Sequence, residues 1–544
     1  MKASIKKEIA IISLFLGLAV VSFLYTNTLP SITPDDEYAV LIANKAASNI
    51  DYPQRDLLLN NYYHTYLYYP LIDLLTTNFK IQTYRSVLLF VYVFLTGYTA
   101  YLAFRSIKIS RIIAVVVSAI ALLPRLSIGS TFWGVFTNTE NLGRSIAFPF
   151  MWLISAWHIR RIQDEKNLWP VFLLIGLTSY IHPVSMLFFF GLLLTVTLVY
   201  YFWNHRWIYG CKQFIQGLGV YILGAAPLLA EIFTRTKTIS SGLVTASEYA
   251  NALKFRLYWE FPPSNLIWLK AILVISLFFV VFILISKYIM RKRNWTNSPK
   301  DIIILKWSLL VSTIGVFYSI FLPSIQLFAI KYFNAPLLIQ QTSRFFIFFY
   351  LGLFVAFAFM LDYLWKNEWA QKKWRWIILC IILFIGLGSS SIGSQWAQFL
   401  TGYDYSEEYY IPTVFHKEKV KVNDFIVYPK ICDALREAGA STTTIILADD
   451  EKIRYFCNMP LYVTFKIGGS YLNAGKEDLV EWKNLYTKQR DVIEGDDIIA
   501  FTNFVKKAGT KSAVLDADSP IVKALSKKKM NVTIIDKKAI IIIN

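Results

Sequence analysis

Long apolar runs separated by short polar intervals fill the chain as far as residue 391. They fall at 8–26, 87–104, 111–124, 144–159, 168–181, 184–203, 213–233, 266–286, 302–322, 344–364 and 376–391. A membrane-crossing helix needs about 20 consecutive apolar residues, within a range of roughly 17–25. The pattern therefore predicts an α-helical multi-pass membrane protein with about 11 spans, of which 111–124 and 168–181 are short enough to be tilted or only partly inserted. Beyond residue 391 the periodicity changes. Short β-rich runs at Thr444–Leu447, Leu461–Phe465, Ser512–Leu515, Val532–Ile535 and Ala539–Ile543 alternate with helical, charge-patterned stretches at 430–439, 476–490, 497–508 and 519–529. That alternation predicts a small α/β domain. The expected division is a transmembrane domain at 1–391, with a first external loop at 27–86, and a C-terminal α/β domain at 392–544 entered through a linker at 392–425.

Composition agrees with this division. Of 544 residues 56% are hydrophobic and 17% charged, whereas soluble domains carry about 25% charged residues, which excludes soluble, disordered and fibrous classes. The net charge of +19 is unevenly spread: residues 1–391 hold 34 Lys+Arg against 16 Asp+Glu, and residues 392–544 hold 21 against 20. The excess sits in clusters between apolar runs, at Arg105, Lys108 and Arg111, at Arg160, Arg161 and Lys166, at Lys287, Arg291, Lys292 and Arg293, and at Lys366, Lys372, Lys373 and Arg375. Such spacing is the positive-inside signature, and it makes the lipid bilayer, not nucleic acid, the partner of the charge. It places the N-terminus in the cytoplasm and, after an odd number of spans, the C-terminal domain outside. Lys2, Lys6 and Lys7 precede the first run in signal-peptide order, but no small-residue cleavage motif follows, so an uncleaved span is expected. The longer loops then face outward, which directs the search for chemistry to the outer face.

Several chemistries lose their usual supports. No phosphate-cradling glycine loop, dinucleotide-binding pattern, zinc-type Cys/His spacing or nucleophile elbow occurs. Cys211 and Cys380 are in or near the membrane region. Cys432 and Cys457 are the cysteines of the external domain; two separate buried thiols is the default reading, a disulfide the other, and spacing alone does not choose.

The informative stretch is Thr33-Pro-Asp-Asp-Glu-Tyr in the first external loop. Three consecutive carboxylates, Asp35, Asp36 and Glu37, begin shortly beyond the first span, where mutual repulsion and partial desolvation raise carboxylate pKa values. The triplet suits a general base or a cation site. Tyr38, Ala39, Leu41, Ile42 and Ala46 share a helical face, so capping of a helix start is the competing role.

Asp36-Glu37-Tyr38, with His64-Thr-Tyr-Leu-Tyr-Tyr-Pro-Leu some 30 residues later, resembles the first external loop of GT-C fold glycosyltransferases, such as the protein O-mannosyltransferases and the bacterial lipid A aminoarabinose transferases. The layout of spans, long first loop and external C-terminal domain is similar too. The resemblance implies an inverting transferase of the bacterial inner membrane and cell envelope that moves a sugar from a polyprenyl-phosphate donor to an acceptor hydroxyl on a glycan, lipid or protein. Asp36 is then the expected base, Asp35 the competing assignment, and Glu37 an orienting or cation-binding group. Some members use a divalent cation and others none, so no cofactor is fixed. A lipid phosphate calls for Arg or N–H donors at the surface. Arg344, Arg144, Arg256 and His182 are the candidates, with snorkelling arginines and a helix-breaking His182-Pro183 corner as the plainer readings. Glu140 and His64 are candidates for acceptor or cation contact. Two other classes remain: a transporter or flippase for a lipid-linked saccharide, which predicts half-molecule repeats and broken spans that the sequence lacks, and an inactive membrane scaffold with an external binding domain.

Overall fold

In the computed structural model the described residues are 2–27, 68–79, 81–122, 143–235, 244–257, 299–333, 335, 345–366, 424–442, 444–465, 468 and 476–543. Up to residue 366 the described secondary-structure elements are all helices. In chain order they are α1 (Lys2–Asn27), α2 (Tyr68–Asn78), α3 (Ile81–Ser106), α4 (Arg111–Ala121), α5 (Gly143–Gln163), α6 (Trp169–Thr178), α7 (Pro183–Trp203), α8 (Trp207–Gly224), α9 (Ala226–Arg235), α10 (Ala246–Arg256), α11 (Pro299–Phe333) and α12 (Ile347–Lys366). Among the described residues, 5 helices are long and apolar enough to cross a membrane: α1, α3, α7, α11 and α12. The predicted short runs are short apolar helices, α4 and α6. The predicted spans at 266–286 and 376–391 lie outside the described residues.

Two spans differ from expectation, each at a proline. The run at 213–233 is divided between α8 and α9 at Ala225, with Pro227 in the first turn of α9. A prolyl ring has no N–H and clashes with the preceding turn, so it starts a helix better than it continues one. The run ending at 322 instead continues through Pro323 to Phe333, and the Ser324 hydroxyl donates to Ile320 O at 3.1 Å beside the break. Hydroxyl side chains of this kind let prolines persist within membrane helices.

One end of the helical bundle is ionic. Arg111 pairs with Glu8 at 2.8 Å, Lys366 pairs with Asp362 at 2.6 Å, and Asp362 also accepts the Ser110 N–H at 2.8 Å. Lys300 pairs with Asp164 at 2.9 Å, Arg206 with Glu165 at 3.0 Å, and Lys306 donates to Asn204 at 2.7 Å. These contacts join the start of α1, the α3–α4, α5–α6 and α7–α8 corners, the start of α11 and the end of α12. The described basic residues at 105–111, 160–166 and 366 thus belong to one end, while Lys287–Arg293 and residues 372–375 lie outside the described residues. Close approach along the bundle relies on small residues, as is usual for helices in lipid. A Cβ on Gly352 of α12 would come within 2.6 Å of the Ser308 carbonyl of α11, and one on Gly176 of α6 within 2.9 Å of the Tyr221 carbonyl of α8.

Residues 424–543 form a four-stranded sheet with helices around it: α13 (Asp424–Glu437), β1 (Ile446–Leu447), α14 (Lys452–Cys457), α15 (Lys476–Glu494), α16 (Ile498–Ala508), β2 (Ser512–Asp516), α17 (Pro520–Lys527), β3 (Val532–Ile535) and β4 (Lys538–Ile542). The strand order is β1-β2-β4-β3, with β1 parallel to β2 and β4 antiparallel to both of its neighbours. The expected strand at 461–465 is reduced to a bridge between Leu461 and Ile446. Cys432 of α13 and Cys457 of α14 form a disulfide, which corrects the expectation of two separate thiols. Spacing did not reveal it because the short helix α14, absent from the sequence reading, carries Cys457 back against α13.

Candidate functional site

The sequence-predicted site residues that the structure describes, Arg144, His182 and Arg256, belong to helix ends away from the ion pairs. Asn27 ends α1, eight residues before Asp35 in the sequence. Arg144 lies in the first turn of α5, where the positive end of the helix dipole favours anions. His182 is the N-cap of α7: its Nδ1 accepts the Ser185 N–H at 3.2 Å, and Pro183 occupies the first helical position. That bond leaves Nε2 to carry the proton of the neutral ring. Arg256, at the end of α10, stacks its guanidinium 4.8 Å from the centre of the Phe465 ring. Asp35, Asp36, Glu37, His64, Glu140 and Arg344 lie outside the described residues.

Arg256 stands where the sheet-bearing unit meets the bundle. The short helix α10 opens with a capping box, in which Thr245 and Glu248 bond each other's backbone N–H. Its other face carries Tyr249, Leu253 and Phe255 onto Leu479, Trp482 and Tyr486 of α15, together with Val463, while Leu327 and Ile330 of α11 close the cluster from below. Phe255 has its ring 5.9 Å from Trp482, 5.9 Å from Phe465 and 6.0 Å from Tyr486. Trp482 is pinned by its own N–H, which donates to Thr464 O at 3.0 Å, and by Gly468, where any Cβ would collide with the indole.

Beside this contact, the carboxyl ends of β1 and β2 collect acidic side chains that the sequence reading passed over. The tripeptide Asp-Asp-Glu recurs at 449–451, immediately after β1, and that repetition was the signal available for it. Asp449 accepts the Tyr486 hydroxyl at 2.9 Å and the Phe465 N–H at 3.4 Å. The residue keeps an exposed flank, but packing around its carboxyl raises the pKa above the ordinary carboxylate value. Burial works against the Asp450 carboxylate as well, yet the Lys538 ammonium at 2.7 Å and the Tyr428 hydroxyl outweigh it and hold its pKa low. Burial likewise opposes the Lys538 charge, and Asp450 with Asp516, 2.9 Å away, overcomes it and raises that pKa. Glu451 bonds Arg454 and Thr464 in the interior. Lys538 occupies the place between Asp450 and Asp516, and among the described residues no group of three His, Cys, Asp or Glu is gathered for a metal ion. This acidic end is a network that ties β1 to α13, α15 and β4.

No protein-family model matches the sequence, and no curated protein matches it. Among solved structures, the chain is similar to an oligosaccharyltransferase of Archaeoglobus fulgidus in complex with Zn and sulfate, at a TM-score of 0.39 and 12% identity over 93% of this chain and 68% of that one. It is also similar to the oligosaccharyltransferase AglB of the same archaeon in complex with an inhibitory peptide and a dolichol-phosphate, at a TM-score of 0.36 and 12% identity over 93% of this chain and 69% of that one. Overlaps this low establish neither fold nor activity.

Proposed function

We propose that this chain is an integral-membrane glycosyltransferase of the GT-C kind, using a polyprenyl-phosphate-linked sugar on the outer face of a bacterial inner membrane. The observation that carries the reading is the polarity of the bundle. Its basic corners meet at one end, while the end of α1 that leads into Asp35-Asp36-Glu37, the Arg144 and His182 helix starts, Arg256 and the sheet-bearing unit belong to the other. With the basic end in the cytoplasm, the α/β domain at 392–544 is external. The Cys432–Cys457 disulfide supports that side, since disulfides persist in oxidising compartments.

In this reading Asp36 takes the proton of the acceptor hydroxyl, and the acceptor oxygen attacks the anomeric carbon. The bond from that carbon to the phosphate oxygen breaks with inversion, and the electron pair leaves on the lipid phosphate. Arg144, Arg256 and Arg344 hold the phosphate charge, with the His182 Nε2–H as a neutral donor. Asp35 and Glu37 complete the acidic site, and Glu140 and His64 face the acceptor or a cation. Positioned general-base catalysis contributes about 10² to 10⁴ in rate.

The test joins orientation to chemistry. A membrane-impermeant thiol reagent applied to intact cells is expected to label a cysteine placed at residue 35 and to spare one placed at Arg161. Asp36→Asn, inserted normally, is expected to erase one component of the cell's glycan profile by mass spectrometry. Labelling of residue 35 only after lysis, or an unchanged profile when Asp35, Asp36 and Glu37 are all neutralised, refutes the proposal.

A further inference from the structure

The four-stranded sheet is electrically lopsided. α16 runs into β2 past Lys506, Lys507 and Lys511, and α17 runs into β3 past Lys527, Lys528 and Lys529. Both β2 and β3 are antiparallel to the β4 strand between them, so they begin at the same end of the sheet. The two connections flank the end of that one strand, because Ile543 N donates to Lys511 O at 3.0 Å and Ile542 N donates to Asn531 O at 3.3 Å. With neighbouring strands about 4.8 Å apart, the two groups border a surface roughly 10 Å across.

All six side chains are exposed, and among the described residues none takes part in an ion pair. Helix dipoles account for lysines in the last turns of α16 and α17. Lys511 and Lys529 lie beyond the helix ends, where no dipole holds them. On the acidic side, α13 brings Glu437 and the Asp433–Arg436 pair toward this end. Ammonium groups within a Debye length of about 8–10 Å repel one another, and a polyanion relieves that repulsion while releasing bound counterions. The sheet's opposite end carries Asp449, whose partners Tyr486 and Phe465 belong to the contact with α10 and α11. The lysines are therefore at the end remote from the bundle, turned from the bilayer toward the aqueous phase.

We propose that this lysine-lined end is a docking surface for a linear polyanion on the aqueous side, an acceptor chain bearing repeated phosphate or carboxylate groups. The proposal rests on the outward-facing transferase reading and narrows its acceptor. The experiment is a titration of the full chain in nanodiscs of neutral lipid with fluorescent polyphosphate, and in parallel with polyglutamate. Saturable binding that weakens steeply as salt rises from about 50 to 200 mM is expected. Lys507→Glu combined with Lys511→Glu and Lys528→Glu is expected to weaken it at least about tenfold. Lys523→Glu with Lys537→Glu, at the other end of the sheet, should change it by less than about twofold. The preferred polymer then identifies the anionic group. Equal losses in both variants, no binding of either polymer, or binding to anionic vesicles that the first variant abolishes, overturns the proposal. Unchanged thermal unfolding of both variants guards against misfolding. Because the titration needs no turnover, its failure leaves the transferase reading intact, and an Asp36→Asn chain that still binds polyphosphate separates the two in the other direction.

Discussion

The Trp307 indole N–H donates to Nδ1 of His158 at 2.8 Å, and Nε2 of the same ring meets the Thr197 hydroxyl at 2.9 Å. Both bonds lie in the apolar interior of the bundle and join α5, α7 and α11. Because Nδ1 accepts, Nε2 carries the proton and donates to Thr197, whose hydroxyl passes its own hydrogen to Leu193 O at 2.8 Å. His158→Phe keeps most of the volume and strands the Trp307 N–H, while the Thr197 hydroxyl keeps its bond to Leu193 O. A buried group left without its bond costs about 1–3 kcal/mol, so the variant is expected to unfold earlier in a detergent thermal ramp. Trp307→Phe removes the donor instead, and the double variant should lose less than the sum of the two single losses. Full additivity would show that the two side chains do not act together.

The Asp450–Lys538 pair predicts a pH dependence of opposite sign at the two ends of the scale. Asp450 has a lowered folded-state pKa, so its contribution is present above the ordinary carboxylate value of about 3.9 and is lost as pH falls through the folded value. Lys538 has a raised one, so its contribution is complete below about 10.4 and is lost as pH rises beyond that. Asp449, with its raised pKa, works the other way and gains stability on acidification. Asp450→Asn is expected to cost about 3 kcal/mol, because it leaves Lys538 with only the exposed Asp516 as partner. Asp449→Asn should steepen the acid limb of the unfolding profile, because it removes the group whose gain on acidification offsets the loss at Asp450. A profile unchanged in both variants would remove the electrostatic account of this corner.

Phe255 is the center of the contact between α10 and the sheet-bearing unit, and it is reached by three rings of that unit. Large-to-small changes at packed aromatic sites cost about 3–5 kcal/mol, and partial exposure of Phe255 puts the expectation at the lower figure. Phe255→Ala is expected to leave the Cys432–Cys457 disulfide formed while making the segment around residue 250 cleavable by added protease. Protection equal to the parent chain would mean that Leu253 and Tyr249 suffice for docking.

What was legible in the sequence follows from the range of the forces involved. Apolar runs report burial in lipid residue by residue, so α1, α3, α7 and α12 lie close to where hydropathy placed them. The basic clusters report one face of a membrane, and their described members at 105–111, 160–166 and 366 belong to the ion-paired end of the bundle. Hydropathy alone misses what proline does to a helix: Pro227 follows the division of a run that looks continuous, and Pro323 sits inside a helix that outlasts its apolar run. Strand patterning in the C-terminal part was strong for β2, β3 and β4, whereas β1 is two residues long and Leu461 contributes a single bridge. The Asp450–Lys538 pair spans 88 positions and the Phe255–Trp482 contact 227, and no local period encodes either. Of the predicted site residues, His182 and Arg256 are described with their surroundings: His182 caps its own helix, whereas Arg256 lies over the face of Phe465, 209 positions away.

The last turns of α11 face two solvents at once. Leu327 and Ile330 belong to the cluster that grips α10 and α15, while Phe328, Tyr332 and Phe333 on the same turns are exposed, with Phe328 and Tyr332 ring to ring at 4.7 Å. Aromatic side chains of that sort settle at headgroup depth. A helix of 35 residues is about 52 Å long against a hydrocarbon slab of about 30 Å, so its inclination depends on how thick the surrounding lipid is. The appended sheet rides on the tip of that rod. A thinner or thicker bilayer would change that inclination, and the sheet packed on the last turns of α11 would tilt with it.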